Sequence, residues 1–262
     1  MGSPATTPDL QQFISQLAYD RETLATTKAA VRTSRDVRRQ AEEVLRELPD
    51  GDKGGQDGLR RASRLYLLSR PEDAIQQGPD NDASMQSGLL RGVLSLETGD
   101  PAGAAAAFQM LVGTDAEGPA MLTDLATAAA LSGDTALAQK AAAKLPDGAD
   151  SLYAEGIALE SDGEYDEAQR KYEEAIAKDG QHARSLFRLA LRLDMQGEDE
   201  RAIELYRRVV ALQPTYVNAL INLALLFEDH DRYAEAEQCY RRVIDNDPNH
   251  TRARIGLKDV QA

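Results

Sequence analysis

Leu152, Leu186 and Leu220 stand 34 residues apart, and the same step separates Gly156, Ala190 and Ala224, then Ala168, Ala202 and Ala236, then Tyr172, Tyr206 and Tyr240. The turn residues Gly180, Pro214 and Pro248 keep it too. A fixed period with small, aromatic and turn residues at set offsets means that one supersecondary unit is written three times. Such a unit cannot bury its apolar face alone, so neighbours must stack to share a core. Within one copy, Leu186, Leu189, Ala190 and Leu193 fall on one side at helical spacing. Gly197 follows, where glycine takes the positive φ of a helix end without penalty. A second helix from Glu200 to Leu212 then turns Ala202, Leu205, Tyr206 and Val209 inward, and Pro214 stops it. Ala190 and Ala202 are small because two helices cross there and a larger side chain would part the backbones.

Three well-formed copies therefore occupy 149–182, 183–216 and 217–250, and 251–262 reads as a capping helix. Upstream the pattern thins. Gly99 to Gly133 again spans 34 residues, but Gly133 to Gly163 spans 30, with a turn lost near Pro146-Asp147-Gly148. Ala74 stands 30 residues before Ala104, which marks another trimmed copy, so 58–148 reads as degenerate repeats. The stretch 51–57 reads as a glycine-rich linker, 9–50 as an N-terminal helical segment with a bend near Thr33-Ser34, and 1–8 as a disordered start. Asp50, Asp52 and Gly55 resemble part of a calcium loop, but Arg61 stands where the bidentate glutamate is required, so calcium is rejected. No window alternates as a strand. The fold class expected is all-α.

Charge narrows the partners. The net charge is −14. Between Pro71 and His182 there are 21 Asp and Glu against 6 Lys and Arg, whereas from Ala183 to Ala262 acidic and basic residues nearly balance, 13 against 12. An acidic middle repels phosphate backbones, which argues against direct nucleic-acid binding. Arg32, Arg35, Arg38 and Arg39 are interleaved with Asp36, Glu42 and Glu43 and read as a solvated helix face. There is no apolar run long enough to span a membrane and no signal peptide at the start. The single cysteine, Cys239, fits a reducing cytosol, so a cytoplasmic location is expected.

No catalytic set emerges: no phosphate-cradling glycine loop, no paired cysteines, no nucleophile elbow. His182, His230 and His250 fall at repeat or helix ends without the convergence a zinc site needs. The chain reads as a non-enzyme with no cofactor and no metal.

In the period and in nearly every diagnostic position of its last three copies, the chain resembles the tetratricopeptide repeat family. The resemblance implies a right-handed α-solenoid that acts as an interaction scaffold, with the first helix of each pair lining a concave groove. The groove positions it implies are Tyr153, Arg184, Phe187, Arg188, Leu191, Asn218, Asn222 and Arg252. Asn222 and Arg252 match places in the family's carboxylate clamp, but Phe187 and Leu191 stand where the clamp needs lysine and asparagine, so a mixed apolar and acidic peptide is the expected ligand class. Three stretches resemble bacterial proteins in which such an array precedes a domain similar to the C-terminal domain of the RNA polymerase α subunit. These are Gly58 to Gln77, VNALINLALLFED from Val217, and NHTRARIGLKDV from Asn249. That likeness implies an alternative, the repeat part of a transcription-associated protein whose C-terminal domain is missing here. A structural or oligomerising element, with self-association, is the other.

Overall fold

A computed structural model describes residues 24, 27, 28, 30, 31, 34–46, 55–68, 70–76 and 84–261. The start at 1–8 and the first four linker residues, 51–54, lie outside the described residues. Among the described residues every regular element is an α-helix and none is a strand. The chain divides into two compact units, Met1–Leu145 and Pro146–Ala262.

In the first unit, α1 (Arg35–Arg46) is followed by three short pairs. They are α2 (Gly55–Leu67) with α3 (Pro71–Gln76), α4 (Met85–Glu97) with α5 (Pro101–Gln109), and α6 (Pro119–Leu131) with α7 (Thr135–Ala142). Helix α2 begins at Gly55, so 55–57, expected in the linker, are helical instead. Ser34 is non-helical between helical Val31 and Arg35, and its Oγ accepts from the Val37 amide at 3.4 Å, capping α1. The lost turn of the third pair falls in its second helix: α7 has 8 residues, against 14 in each second helix of the other unit. Lys28 is buried, donates to Glu97 at 2.6 Å and sits 3.6 Å from the centroid of the Tyr66 ring. One lysine thus ties the N-terminal segment to α2 and α4.

The second unit holds α8 (Ala149–Ser161) with α9 (Tyr165–Lys178), α10 (Ala183–Met195) with α11 (Asp199–Leu212), and α12 (Val217–Asp229) with α13 (Tyr233–Asn246). Helix α14 (Thr251–Asp259) packs on α13. Each helix packs on the next in sequence, so every second helix is shared between its own pair and the following one. The periodic alanines Ala168, Ala202 and Ala236 are fully buried at 0 % exposure, and Tyr172, Tyr206 and Tyr240 are at most 1 % exposed. The small residue and the aromatic meet face to face. A Cβ on Gly156 would stand 2.5 Å from Tyr172 Cε1, and Gly92 with Phe108 in the first unit makes the same close approach at 2.6 Å.

From α4 onward the turns between paired helices use one backbone device. Gly99, Gly133, Gly163 and Gly197 all take φ near +80°, where an L side chain is strained. In the last repeat the equivalent position is Asp231, with φ 58°. His182 and His250 cap the first helices α10 and α14, each accepting a backbone amide on Nδ1, from Ser185 at 3.3 Å and from Ala253 at 3.2 Å. No helix among the described residues is long and apolar enough to cross a membrane.

Candidate peptide-binding face

The candidate site is the surface made by successive first helices of the second unit, α8, α10, α12 and α14. The structure sorts the expected residues into three groups. Arg184, Asn218 and Arg252 recur one repeat apart, with Arg184 half-buried and Asn218 and Arg252 exposed. Phe187 and Leu191 are half-buried, and Phe187 lies between the Tyr206 and Tyr216 rings, with centroids 5.9 and 5.0 Å away. The third group is already occupied.

Tyr153 is a correction. It is 4 % exposed, boxed by Tyr172 at 6.2 Å, by the edge of His182 at 5.7 Å and by the Arg184 guanidinium at 5.9 Å, so it supports the face from beneath and cannot meet a ligand itself. Gly156 lets the Tyr172 ring lie against the first helix, and Tyr153 packs on that ring. Arg188 faces Glu160 across the repeat boundary, with Nη1 3.5 Å from the carboxylate and a side chain 15 % exposed. The charge counted on for an acidic ligand is matched from within. Asn222 donates Nδ2 to Tyr206 Oη at 3.1 Å.

Three residues that the sequence reading missed bind these groups together. Tyr172 Oη donates to Glu160 at 2.6 Å, Tyr206 Oη to Asp194 at 3.4 Å, and Tyr240 Oη to Glu228. Glu160, Asp194 and Glu228 are themselves 34 residues apart, so the signal was present in the period. Their role was hidden because an acid near the end of a helix reads as ordinary solvated charge. Burial pushes Asp194 above the ordinary carboxylate range, and although the Tyr206 hydroxyl pulls the other way, Asp199 and Asp229 add to the rise. Burial likewise pushes the Tyr216 phenol up to about 12. Cys239, 5 % exposed, is pushed up to about 11 by burial, which leaves it an inert thiol in the core.

Two tetratricopeptide family models match the sequence, over residues 153–217 and 195–259. Residues 153–259 are tetratricopeptide repeats. The matched span coincides with the helix pairs whose alanines and tyrosines are fully buried. No curated protein matches the chain in sequence. Among solved structures, the thermophilic TPR protein TTC0263 of Thermus thermophilus is similar with a TM-score of 0.54 at 18 % identity, over 68 % of this chain and 99 % of that one. A chain of the APC/C hetero-tetramer Cut9-Hcn1 is similar with a TM-score of 0.50 at 11 % identity, over 97 % of this chain and 51 % of that one. At these identities the likeness concerns the fold: an all-α tetratricopeptide solenoid.

Proposed function

We propose that this tetratricopeptide array is a protein–protein interaction scaffold, and that the first-helix face of α8, α10, α12 and α14 holds a peptide or helix of a partner. The observation that carries the reading is the repetition of Arg184, Asn218 and Arg252 at one outward offset. The side chains beneath them, Tyr153, Arg188 and Asn222, are locked into the repeat core by ring packing and hydrogen bonds. A fixed underlayer lowers the ordering cost of binding. Half-buried Phe187 and Leu191 supply apolar contact between the polar positions, and the exposed Asn218 amide can pair with an extended backbone.

The test is capture of a partner from the source cell by the immobilised chain, compared among variants. Asn218→Ala with Arg252→Ala on the first-helix face should reduce capture, with the melting temperature little changed because both residues are exposed. The outer-face changes Arg207→Ala and Arg241→Ala should leave capture intact. If the outer-face pair abolishes capture and the inner pair does not, the assignment of the face fails.

A further inference from the structure

Glu160 meets a cation of its own chain. It accepts the Tyr172 hydroxyl and receives the Arg188 guanidinium from the next first helix, 28 residues on. One repeat later the same carboxylate position is Asp194, again bonded to its tyrosine, but the residue 28 further on is Asn222. Asn222 donates to the tyrosine oxygen, so it contributes a dipole and no charge. Two repeats later the carboxylate is Glu228 and the corresponding residue is Gly256, which has no side chain. Arg252 lies on that last helix, exposed and near enough for its charge to act on Tyr240, yet it makes no ion pair with Glu228.

From this comparison we propose that Asp194 receives a guanidinium or ammonium group of the bound partner, in the position that Arg188 takes on Glu160, with Glu228 as a second such place one repeat along. The ligand class is a basic peptide segment. This rests on the first-helix face being the binding face, and it replaces the expectation of an acidic ligand. Three observations meet here. A guanidinium already occupies the first member of the series, so the geometry that accepts one exists in this chain. Asp194 has two further carboxylates, Asp199 and Asp229, close enough to act on it, and only Asp199 has a histidine partner, His230 at 3.0 Å. Asp194 is half-buried, so a cation placed on it interacts through less water than at the surface. Burial also holds the carboxyl above its ordinary range, a penalty that an incoming positive charge relieves.

The experiment uses the full chain and fluorescein-labelled extended nonapeptides of alanine and serine. One set carries two arginines at spacings of two, three or four residues; matched sets carry citrulline, which keeps the shape without the charge, or glutamate. Binding is read by anisotropy. The best arginine peptide should bind about ten- to a hundredfold tighter than its citrulline twin, the range of one charge-assisted hydrogen bond. Asp194→Asn, which keeps an acceptor for Tyr206, should remove most of that difference. Asn222→Arg should do the same by supplying an internal cation, without lowering the melting temperature. Glu237→Gln on an outer helix should change little and so controls for attraction by net negative charge. Equal binding of arginine and citrulline peptides, or an equal loss with Glu237→Gln, overturns the proposal. Preference for the glutamate peptide, lost with Asn218→Ala, would overturn it while leaving the binding face standing. Indifference of every peptide to every first-helix substitution would bring down both.

Discussion

Tyr172 donates its hydroxyl to Glu160 at 2.6 Å, and the same two offsets return as Tyr206 with Asp194 and Tyr240 with Glu228. Each bond ties the middle of a second helix to the end of its own first helix, 12 residues away. Each also places a phenol beside a carboxylate in a buried setting, where losing the proton would create two adjacent negative charges. Burial first, and the neighbouring acid after it, holds the Tyr172 phenol well above the ordinary 10.0, and Tyr240 is raised for the same reasons.

The consequence is alkaline sensitivity. In the unfolded chain these phenols ionise around the ordinary value of 10.0, while in the folded chain they keep their protons to higher pH. Above about pH 10 the unfolded state therefore binds fewer protons than the folded one, so their contribution is intact below that pH and is lost as pH rises further. Phenolate absorbance should rise together with loss of helical ellipticity. Tyr206→Phe should cost about 1–2 kcal/mol at neutral pH by removing a hydrogen bond to a charged group, and should flatten the alkaline fall. A phenolate signal that saturates while the helices persist would contradict the pairing.

The crossing of α10 with α11 leaves no space at Ala202, which is 0 % exposed. Ala202→Leu should overpack the crossing and lower stability by about 1–3 kcal/mol. Urea unfolding followed by circular dichroism checks it, and an unchanged midpoint would speak against the register.

The loop positions test backbone conformation with almost no packing involved. A Cβ on Gly197 would meet nothing within 4 Å, so Gly197→Ala isolates the cost of φ 76° for an L residue, about 1–2 kcal/mol. At the equivalent Asp231 the reverse change, Asp231→Gly, should be neutral or stabilising by up to about 1 kcal/mol, because aspartate at φ 58° is already strained. The exposed bond from Tyr233 to Asp231 at 2.8 Å is lost but is replaced by water. Thermal melts of the two variants should move in opposite directions, or the Gly197 variant alone should fall.

Hydrogen exchange should separate the two units. Large side chains dominate the core of Pro146–Ala262, whereas α5 and α7 bury mainly alanine and α6 buries as many alanines as large apolar side chains. Alanine removes little apolar area from water, at about 25 cal/mol per Å². Amides of α10 to α13 should outlast those of α5 to α7, and equal protection would show that the alanine contacts contribute more than their area suggests.

What the sequence by itself determined was everything governed by a repeat acting on its own neighbours. The period places the helix pairs, Pro214 and Pro248 lie two residues past the ends of α11 and α13, and the alanines and tyrosines at fixed offsets are the most buried side chains of their helices. These follow because burial depends on which side of a helix a residue occupies, and spacing fixes that. Tertiary structure alone decided how polar groups were paired. The offsets that put Arg252 on the surface and Arg188 beside Glu160 are invisible in composition, since the partner comes from the first helix of the preceding pair and the distance depends on how two pairs stack. Spacing alone gives Tyr153 an outward offset and so a ligand contact, yet Tyr172, His182 and Arg184 close over it. Periodicity says which face a side chain leaves from. Whether its charge or ring remains available depends on a third helix, and only the folded array brings that helix near.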